Sequence, residues 1–518
     1  MNSTHSLAGM VCLVAGITAP ICAQTTAPAP PATPGTTTTT PSATATGGTP
    51  AAPGRPQPAL KPFATLGGFS FSGYLRSRGE GYDYFDAANG TSRYGFTGHQ
   101  LRISGVKTTP NLDVQLDLQH QLFTNLPDSA VFRPNPTTAV PLGQGGNYFL
   151  ANGNQDGTLN IKQAFVRFKN NLGKGSAIRV GRFEFNDGTE TVNPNPTLNF
   201  LKVQRLSQRL IGTFSFTHVG RAFDGAQISA PVANGNLTFV GARPTEGVFQ
   251  LNANDNIDAV NFLYGAYTKS DKTADARVFA LAYEDGRNAS KSVKTDNRPL
   301  AARQADNDNI RVYTLGADYV RTVGEFDVLG WGALQTGSWG TLDHRGAAFA
   351  LEGGYQPKGV KWRPWLRAGY YYASGDGDAT DGKHGTFFTP LPTPRLYSRF
   401  PFYNQMNSKD LFAQFILRPT PKLNIRSEAH VLQLANANDL YYLGGGAFQD
   451  NGFGMAGRPS GGHKGLANVF DISFDYTLNP RSSVGLYVAR ALGKGAIANT
   501  FTQNKNATFG FIEYTTRF

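Results

Sequence analysis

From about Phe63 to the C-terminus the chain keeps alternating apolar and polar residues in long runs. Val114, Leu116, Leu118 and Leu122 alternate with Asp113, Gln115, Asp117, Gln119 and Gln121. Phe470, Ile472, Phe474 and Tyr476 alternate with Asp471, Ser473, Asp475 and Thr477, and Leu423–Val431 interleave Ile425, Ser427 and Ala429 with Arg426, Glu428 and His430. Successive side chains of a strand point to opposite faces, so each run has one apolar and one polar face. A soluble sandwich alternates too. Its strands, however, are about 5 to 6 residues long, whereas these runs extend for roughly 10 to 14, the length a tilted membrane-crossing strand requires. Nothing beyond the N-terminal segment is apolar and long enough for a transmembrane helix. A membrane-spanning chain without such helices has to close its sheet, because lipid offers no partner for an open backbone edge. About 18 or 19 such runs lie between Phe69 and Phe518, and the even-number rule of single-chain bacterial barrels selects 18. The least regular are Phe223–Ile228 and Leu237–Val240.

The fold class is therefore all-β: an antiparallel transmembrane barrel of about 18 strands. Tight turns such as Asn170-Asn171-Leu172-Gly173 alternate with long polar loops at 125–156, 288–309, 375–407 and 436–464. That asymmetry places the long loops outside the cell. Tyr82, Tyr84 and Phe85, Tyr370–Tyr372, and Tyr441–Tyr442 sit near strand ends, where interfacial aromatic girdles or loop packing would put them. The last run, Thr508–Phe518, carries Ile512, Tyr514 and Phe518 on one face and Glu513 and Arg517 on the other. A final strand ending in Phe looks like the signal read by barrel-insertion machinery.

Residues 1–23 read as a secretory signal, with an apolar run from Leu7 to Ile21. Both cysteines of the chain, Cys12 and Cys22, fall within it, so the mature protein is expected to lack disulfides, thiol catalysis and cysteine metal sites. Residues 24–62 are mostly Ala, Pro and Thr and are expected to form a disordered periplasmic linker. The barrel occupies 63–518.

The net charge is +12. Clustered Lys/Arg runs, which a nucleic-acid binder would show, are missing. Single arginines scattered along strands suit a positive pore, with lipopolysaccharide contact as the competing explanation. Periodicity alone puts Arg76, Arg78, Arg102 and Arg426 on polar, lumen-facing positions. Carboxylates such as Glu80, Asp117, Glu184, Asp224 and Glu428 are available to brace the wall by pairing with them. Asp376, Asp378 and Asp381 resemble a calcium loop, yet Thr380 stands where an oxygen-rich ligand belongs and no Glu closes the loop. The 8 histidines show no zinc spacing, and no nucleophile is marked beside them, so an enzyme is not expected.

Three blocks carry a resemblance. The first is Ile178–Phe185 with its Gly181-Arg182 pair, followed by Gln208-Arg209-Leu210-Ile211-Gly212 and Gly220-Arg221-Ala222-Phe223-Asp224-Gly225. The second is Tyr372–Asp378 with Gly385-Thr386-Phe387, Asp410-Leu411 and the Leu423–Leu434 run, and the third is Asp439-Leu440-Tyr441-Tyr442. In their order, these resemble the alginate export family of outer-membrane barrels. The resemblance implies a monomeric 18-stranded barrel with an arginine-lined, anion-selective constriction that passes an anionic polysaccharide passively. It adds Arg182, Arg209 and Arg221 to the pore candidates, with Glu184 and Asp224 beside them. No cofactor is expected beyond a Ca2+ at the Asp376–Asp381 loop. Expected partners are outer-membrane lipid and lipopolysaccharide, the polysaccharide, and periplasmic secretion proteins. A general or nutrient-uptake porin, and a plugged structural or adhesive barrel acting through its loops, are the alternatives; loop residues filling the bore would mark the last.

Overall fold

A computed structural model describes residues 61–135 and 138–518. The expected signal peptide (1–23) and all but the last two residues of the expected linker (24–62) lie outside the described residues. Eighteen strands make the wall. They are β1 (Phe69–Asp83), β2 (Arg93–Thr108), β3 (Leu112–Thr124), β4 (Gly157–Lys169), β5 (Ala177–Phe183), β6 (Phe223–Val232), β7 (Gly235–Pro244), β8 (Val260–Ser270) and β9 (Ala274–Asp285). The second half comprises β10 (Ile310–Val323), β11 (Phe326–Trp339), β12 (Leu342–Tyr355), β13 (Trp365–Ala373), β14 (Ser408–Thr420), β15 (Leu423–Leu434), β16 (Gly465–Asn479), β17 (Ser482–Gly493) and β18 (Asn506–Arg517). Each strand pairs antiparallel with the next, and β18 returns to β1, from Tyr74 beside Arg517 to Asp83 beside Thr508. The barrel is closed, and the two least regular runs are β6 and β7. No described helix is long and apolar enough to cross a membrane.

The period of two survives intact. On β3, Leu116, Leu118 and Leu122 are exposed on the outer face, while Asp113, Gln115, Asp117, Gln119 and Gln121 are buried inside. Leu263, Leu315, Leu334, Leu351, Leu411 and Phe470 extend the exposed apolar belt around the wall. In lipid this belt is solvated by acyl chains rather than left unsatisfied. Tight turns are shaped by short polar side chains. Asp271 accepts from the N–H groups of Thr273 and Ala274, and Gly324 adopts φ 65°, which its lack of a Cβ permits. The seam is also tight: a Cβ on Gly73 would stand 2.7 Å from the Phe518 ring, while Gly73 and Phe518 exchange backbone hydrogen bonds of 2.8 and 2.9 Å.

The aromatic clusters divide by parity. Tyr82, Tyr84 and Phe85 are buried inside the mouth, packed on Phe400, Phe402, Phe501 and Phe509, and Tyr441 and Tyr442 are buried as well. These two groups are loop packing, not girdle, because their residues share a face with the lumen or lie in loops. Tyr371 also faces inward, whereas Tyr372 pairs with outward Phe349. An outward aromatic row does exist near the short-turn end: Tyr319, Phe326, Tyr355, Tyr476 and Tyr514.

The connections at the long-loop end include 125–156, 286–309, 374–407 and 435–464, as the sequence suggests, plus 184–222. The last folds into the bore. It leaves the wall early because β5 is only 7 residues long. It carries a short helix, α1 (Pro196–Leu201), capped by Asn195, whose side chain accepts from Thr197 N at 2.9 Å. Leu198, Leu201, Leu206, Leu210 and Ile211 are fully buried in one cluster with Trp331, Trp365 and Phe388. A loop with this many apolar groups has to bury them, and the barrel interior is where it does so.

Candidate functional site

The polar inner face of β1–β4 holds the inward loop by its carbonyls. Arg76 donates to Ser215 O and Thr217 O at 2.9 and 2.7 Å, and Arg78 donates to Phe216 O at 2.7 Å. Gln119 and Lys162 reach Val219 O at 3.0 and 2.9 Å. Arg78 also pairs with Glu80 at 2.9 Å and with Glu513 at 3.4 Å. Arg102 grips Glu184 through both terminal nitrogens, at 3.0 and 2.9 Å, and its Nη2 donates to Gln119. Arg76, Arg78 and Arg102 are thus lumen-facing yet almost fully buried, at 0, 1 and 2 % exposure. Their guanidinium groups are occupied in docking the loop.

Arg209 and Arg221 lie on the inward loop itself. Arg209 sits 4.8 Å over the Trp331 ring and donates to Tyr397 Oη at 2.9 Å. Arg221, also fully buried, donates to Gly445 O. Arg182 and Asp224 are placed differently from the expectation. Arg182 pairs across β5–β6 with Asp224, which pairs across β6–β7 with exposed Arg243. Cross-strand partners share a face, and Val180, two residues before Arg182, is exposed. Arg182 and Asp224 therefore form their 2.7 Å ion pair on the outer face of the wall. They close a notch left by the short β5, where Arg182 also donates to Asn254 O at 2.7 Å. Glu184, just past the end of β5, is inside, held by Arg102.

Two arginines that period-two reading cannot find lie in the loop 374–407. Arg395 stands 4.8 Å over the Phe216 ring, which Arg78 also approaches at 4.1 Å and which packs edge-on against Phe511. Arg399 stands 5.5 Å over Tyr487 and 6.0 Å over Phe511. Among the described residues neither has a carboxylate within ion-pair distance, and Nε and Nη1 of Arg395 have no hydrogen-bond partner. Arg426 of β15 completes the group. It is the least buried of the lumen candidates named on β1, β2 and β15, its side chain being 11 % exposed, and its Nε lies 3.3 Å from Glu428. Arg78, Arg395 and Arg399 thus stand over an aromatic shelf of Phe216, Tyr487 and Phe511, while Arg426 pairs with Glu428 and donates to Gln204. Cations over rings are attracted by the ring quadrupole, and partly bare guanidinium forks are suited to carboxylates. The sequence signal for the loop pair was only Arg395 and Arg399 amid aromatic residues.

Asp376, Asp378 and Asp381 do not converge. Asp378 and Asp381 cap their own turns, at Thr380 N and Lys383 N, each at 2.9 Å. The neighbouring hub is Asp439, a buried loop carboxyl that accepts from Thr386 Oγ1 at 2.6 Å, Tyr442 Oη at 2.7 Å and Asp376 N at 2.9 Å. Burial pushes Asp439 up to about 6, and the two hydroxyls only partly offset this. A raised carboxyl favours the folded loop while it is protonated. Its contribution is whole below about pH 4 and is lost as the pH rises through about 6, a swing of roughly 3 kcal/mol. Asp439→Asn should flatten this dependence, measured as hydrogen-exchange protection of residues 374–386 and 435–444 between pH 4 and 7.

Comparison with known proteins adds the following. The alginate export family model matches residues 154–496. A comparison with curated proteins finds no match. Among solved structures, Acinetobacter baumannii OccAB2 aligns at TM-score 0.51 and 10% identity, covering 86% of this chain and 98% of its own. Acinetobacter baumannii OccAB1 aligns at 0.51 and 11%, covering 89% and 99%. The outer membrane protein opdK of Pseudomonas aeruginosa aligns at 0.50 and 10%, covering 87% and 99%. At such identities the likeness concerns the fold alone, a closed barrel. The match across most of the barrel decides the family, and this chain belongs to the alginate export family as an 18-stranded outer-membrane channel barrel.

Proposed function

We propose that the barrel passes an anionic polysaccharide of the alginate kind, or its oligomers, passively along the Arg395–Arg399–Arg426 stretch. The observation that carries this is the pair Arg395 and Arg399, which among the described residues have no carboxylate within ion-pair distance and stand over Phe216, Tyr487 and Phe511. Uronate units combine a carboxylate with a pyranose ring whose C–H face packs on aromatic groups. A shelf with guanidinium groups at its edge meets both needs. Selection then follows from the charge and width of the narrowest ring.

The test is the reversal potential of the purified protein in a planar bilayer under a salt gradient, repeated with added oligouronate. Anion preference with block by the oligomer is expected. Arg395→Ala with Arg399→Ala should move the reversal potential toward zero and remove the block. Cation preference without block would overturn the reading. A second reading rests on the bore being filled by residues 184–222 and 374–407: a plugged barrel acting through its outer loops. A complete lack of conductance would favour it.

A further inference from the structure

We propose that Glu428, His430 and Asp471 form a zinc-class metal site on the lumen wall, beneath residues 395–399. Glu428 and His430 are two apart on β15 and so share its inward face. Asp471 of β16 stands directly opposite Glu428. The three residues each bring one ligand atom to within 4.8 Å of the others, and all three are buried.

The decisive group is His430, at 1 % exposure. Its Nδ1 lies 3.0 Å from Asp410 of β14. Its Nε2 has no hydrogen-bond partner. A carboxylate on one ring nitrogen fixes the ring and directs the other toward an ion, the arrangement found behind metal-bound histidines. If His430 merely neutralised the carboxylates as an imidazolium, its Nε2–H would need an acceptor, and among the described residues it has none. Glu428 is similarly divided. Its Oε1 accepts from Arg205 at 2.7 Å and from Gln414 at 2.5 Å, while Oε2 makes no hydrogen bond, with Arg426 Nε 3.3 Å away. Asp471 Oδ2 accepts from Ser398 at 3.1 Å and Tyr487 at 2.9 Å.

One imidazole and two carboxylates suit borderline zinc, whereas calcium and magnesium take oxygen donors alone. Three protein ligands leave a fourth position open. An ion here would add positive charge beside Arg399 and Arg426 and tie the Ser398 segment to the wall through Asp471. Its binding is independent of what the channel carries.

The experiment uses the full-length protein, stripped with a chelator and dialysed against zinc chloride. Elemental analysis should find one more zinc per chain in the unaltered protein than in His430→Gln, and Asp410→Asn should weaken binding by roughly 10- to 100-fold. Glu428→Gln, which keeps the acceptor for Arg205, carries the same expectation should His430→Gln fail to form a barrel. Zinc X-ray absorption on the unaltered protein gives a reading that needs no variant: one nitrogen and two carboxylate oxygens at about 2.0–2.2 Å. Equal zinc in the protein and its variants, no bound zinc, or a shell of several histidines would overturn the site.

Discussion

Deleting residues 213–219, the tip of the inward loop, is expected to raise single-channel conductance several-fold without unfolding the barrel. The wall does not need this segment for its own hydrogen bonds, since every strand of β1–β18 is paired on both sides. What the tip does is fill space. Its carbonyls at Ser215, Phe216, Thr217 and Val219 are held by Arg76, Arg78, Gln119 and Lys162. Without it, water reaches those cations, and the shelf loses Phe216. The deletion should therefore widen the passage and expose more positive charge at once, so conductance and anion preference both rise. Block by oligouronate should weaken, because the ring stacked between Arg78 and Arg395 is gone. Unchanged conductance in planar bilayers would mean that ions avoid this part of the lumen.

Arg102→Ala is expected to loosen the root of the same loop. Arg102 holds Glu184 by two hydrogen bonds and lies 3.9 Å from Asp117. Both carboxylates are buried, and Lys162, 3.9 Å from Glu184, is a poor substitute. Removing one partner of a buried pair strands the other charge, at a cost of about 3–5 kcal/mol. Replacing both partners, as in Arg102→Met with Glu184→Leu, should cost less, because neither member of the pair is left as a lone charge, and only the 3.9 Å neighbours Asp117 and Lys162 lose a contact. Urea unfolding would read the difference, and bilayer recordings of Arg102→Ala should show rapid current fluctuations as residues 184–222 undock. Equal destabilisation by the single and double variants would show that the ion pair is not what holds the loop.

The wall was legible because lipid imposes one simple rule on it. Leu116 and Leu118 on one side, Asp117 and Gln119 on the other, need nothing beyond the strand's period of two. The same rule sets the faces of Arg76, Arg102 and Arg426. At Arg182 parity and family resemblance point opposite ways, and the wall follows parity: Arg182 follows Ile178 and Val180 at even spacing, on the apolar outward face. Loops obey no period. Nothing in the spacing of residues 184–222 shows that they turn inward, since that depends on β5 ending early at Phe183 and on wall residues far away in sequence. Arg395 and Arg399 were hidden for the same reason, and for Tyr84 and Phe85 the choice between girdle and loop packing stayed open because proximity to a strand end does not say which way a loop folds. The ligand set His430, Glu428 and Asp471 joins two strands separated by the long loop 435–464, a spacing no motif describes.

The seam has a kinetic meaning. Tyr74 stands beside Arg517 and Asp83 beside Thr508, so the pairing that completes the cylinder joins nearly the two extremes of the chain. Every other wall contact is between strands consecutive in sequence and can zip locally. This one bears the largest loop-closure entropy and cannot begin until the final residues are present. Until then β1 and β18 are open sheet edges, ready to pair with a stranger. Assembly is therefore expected to end with a single late, slow step, and Gly73→Val, which puts a branched side chain where the Phe518 ring packs, should delay that step while leaving the earlier zipping of β2 through β17 intact.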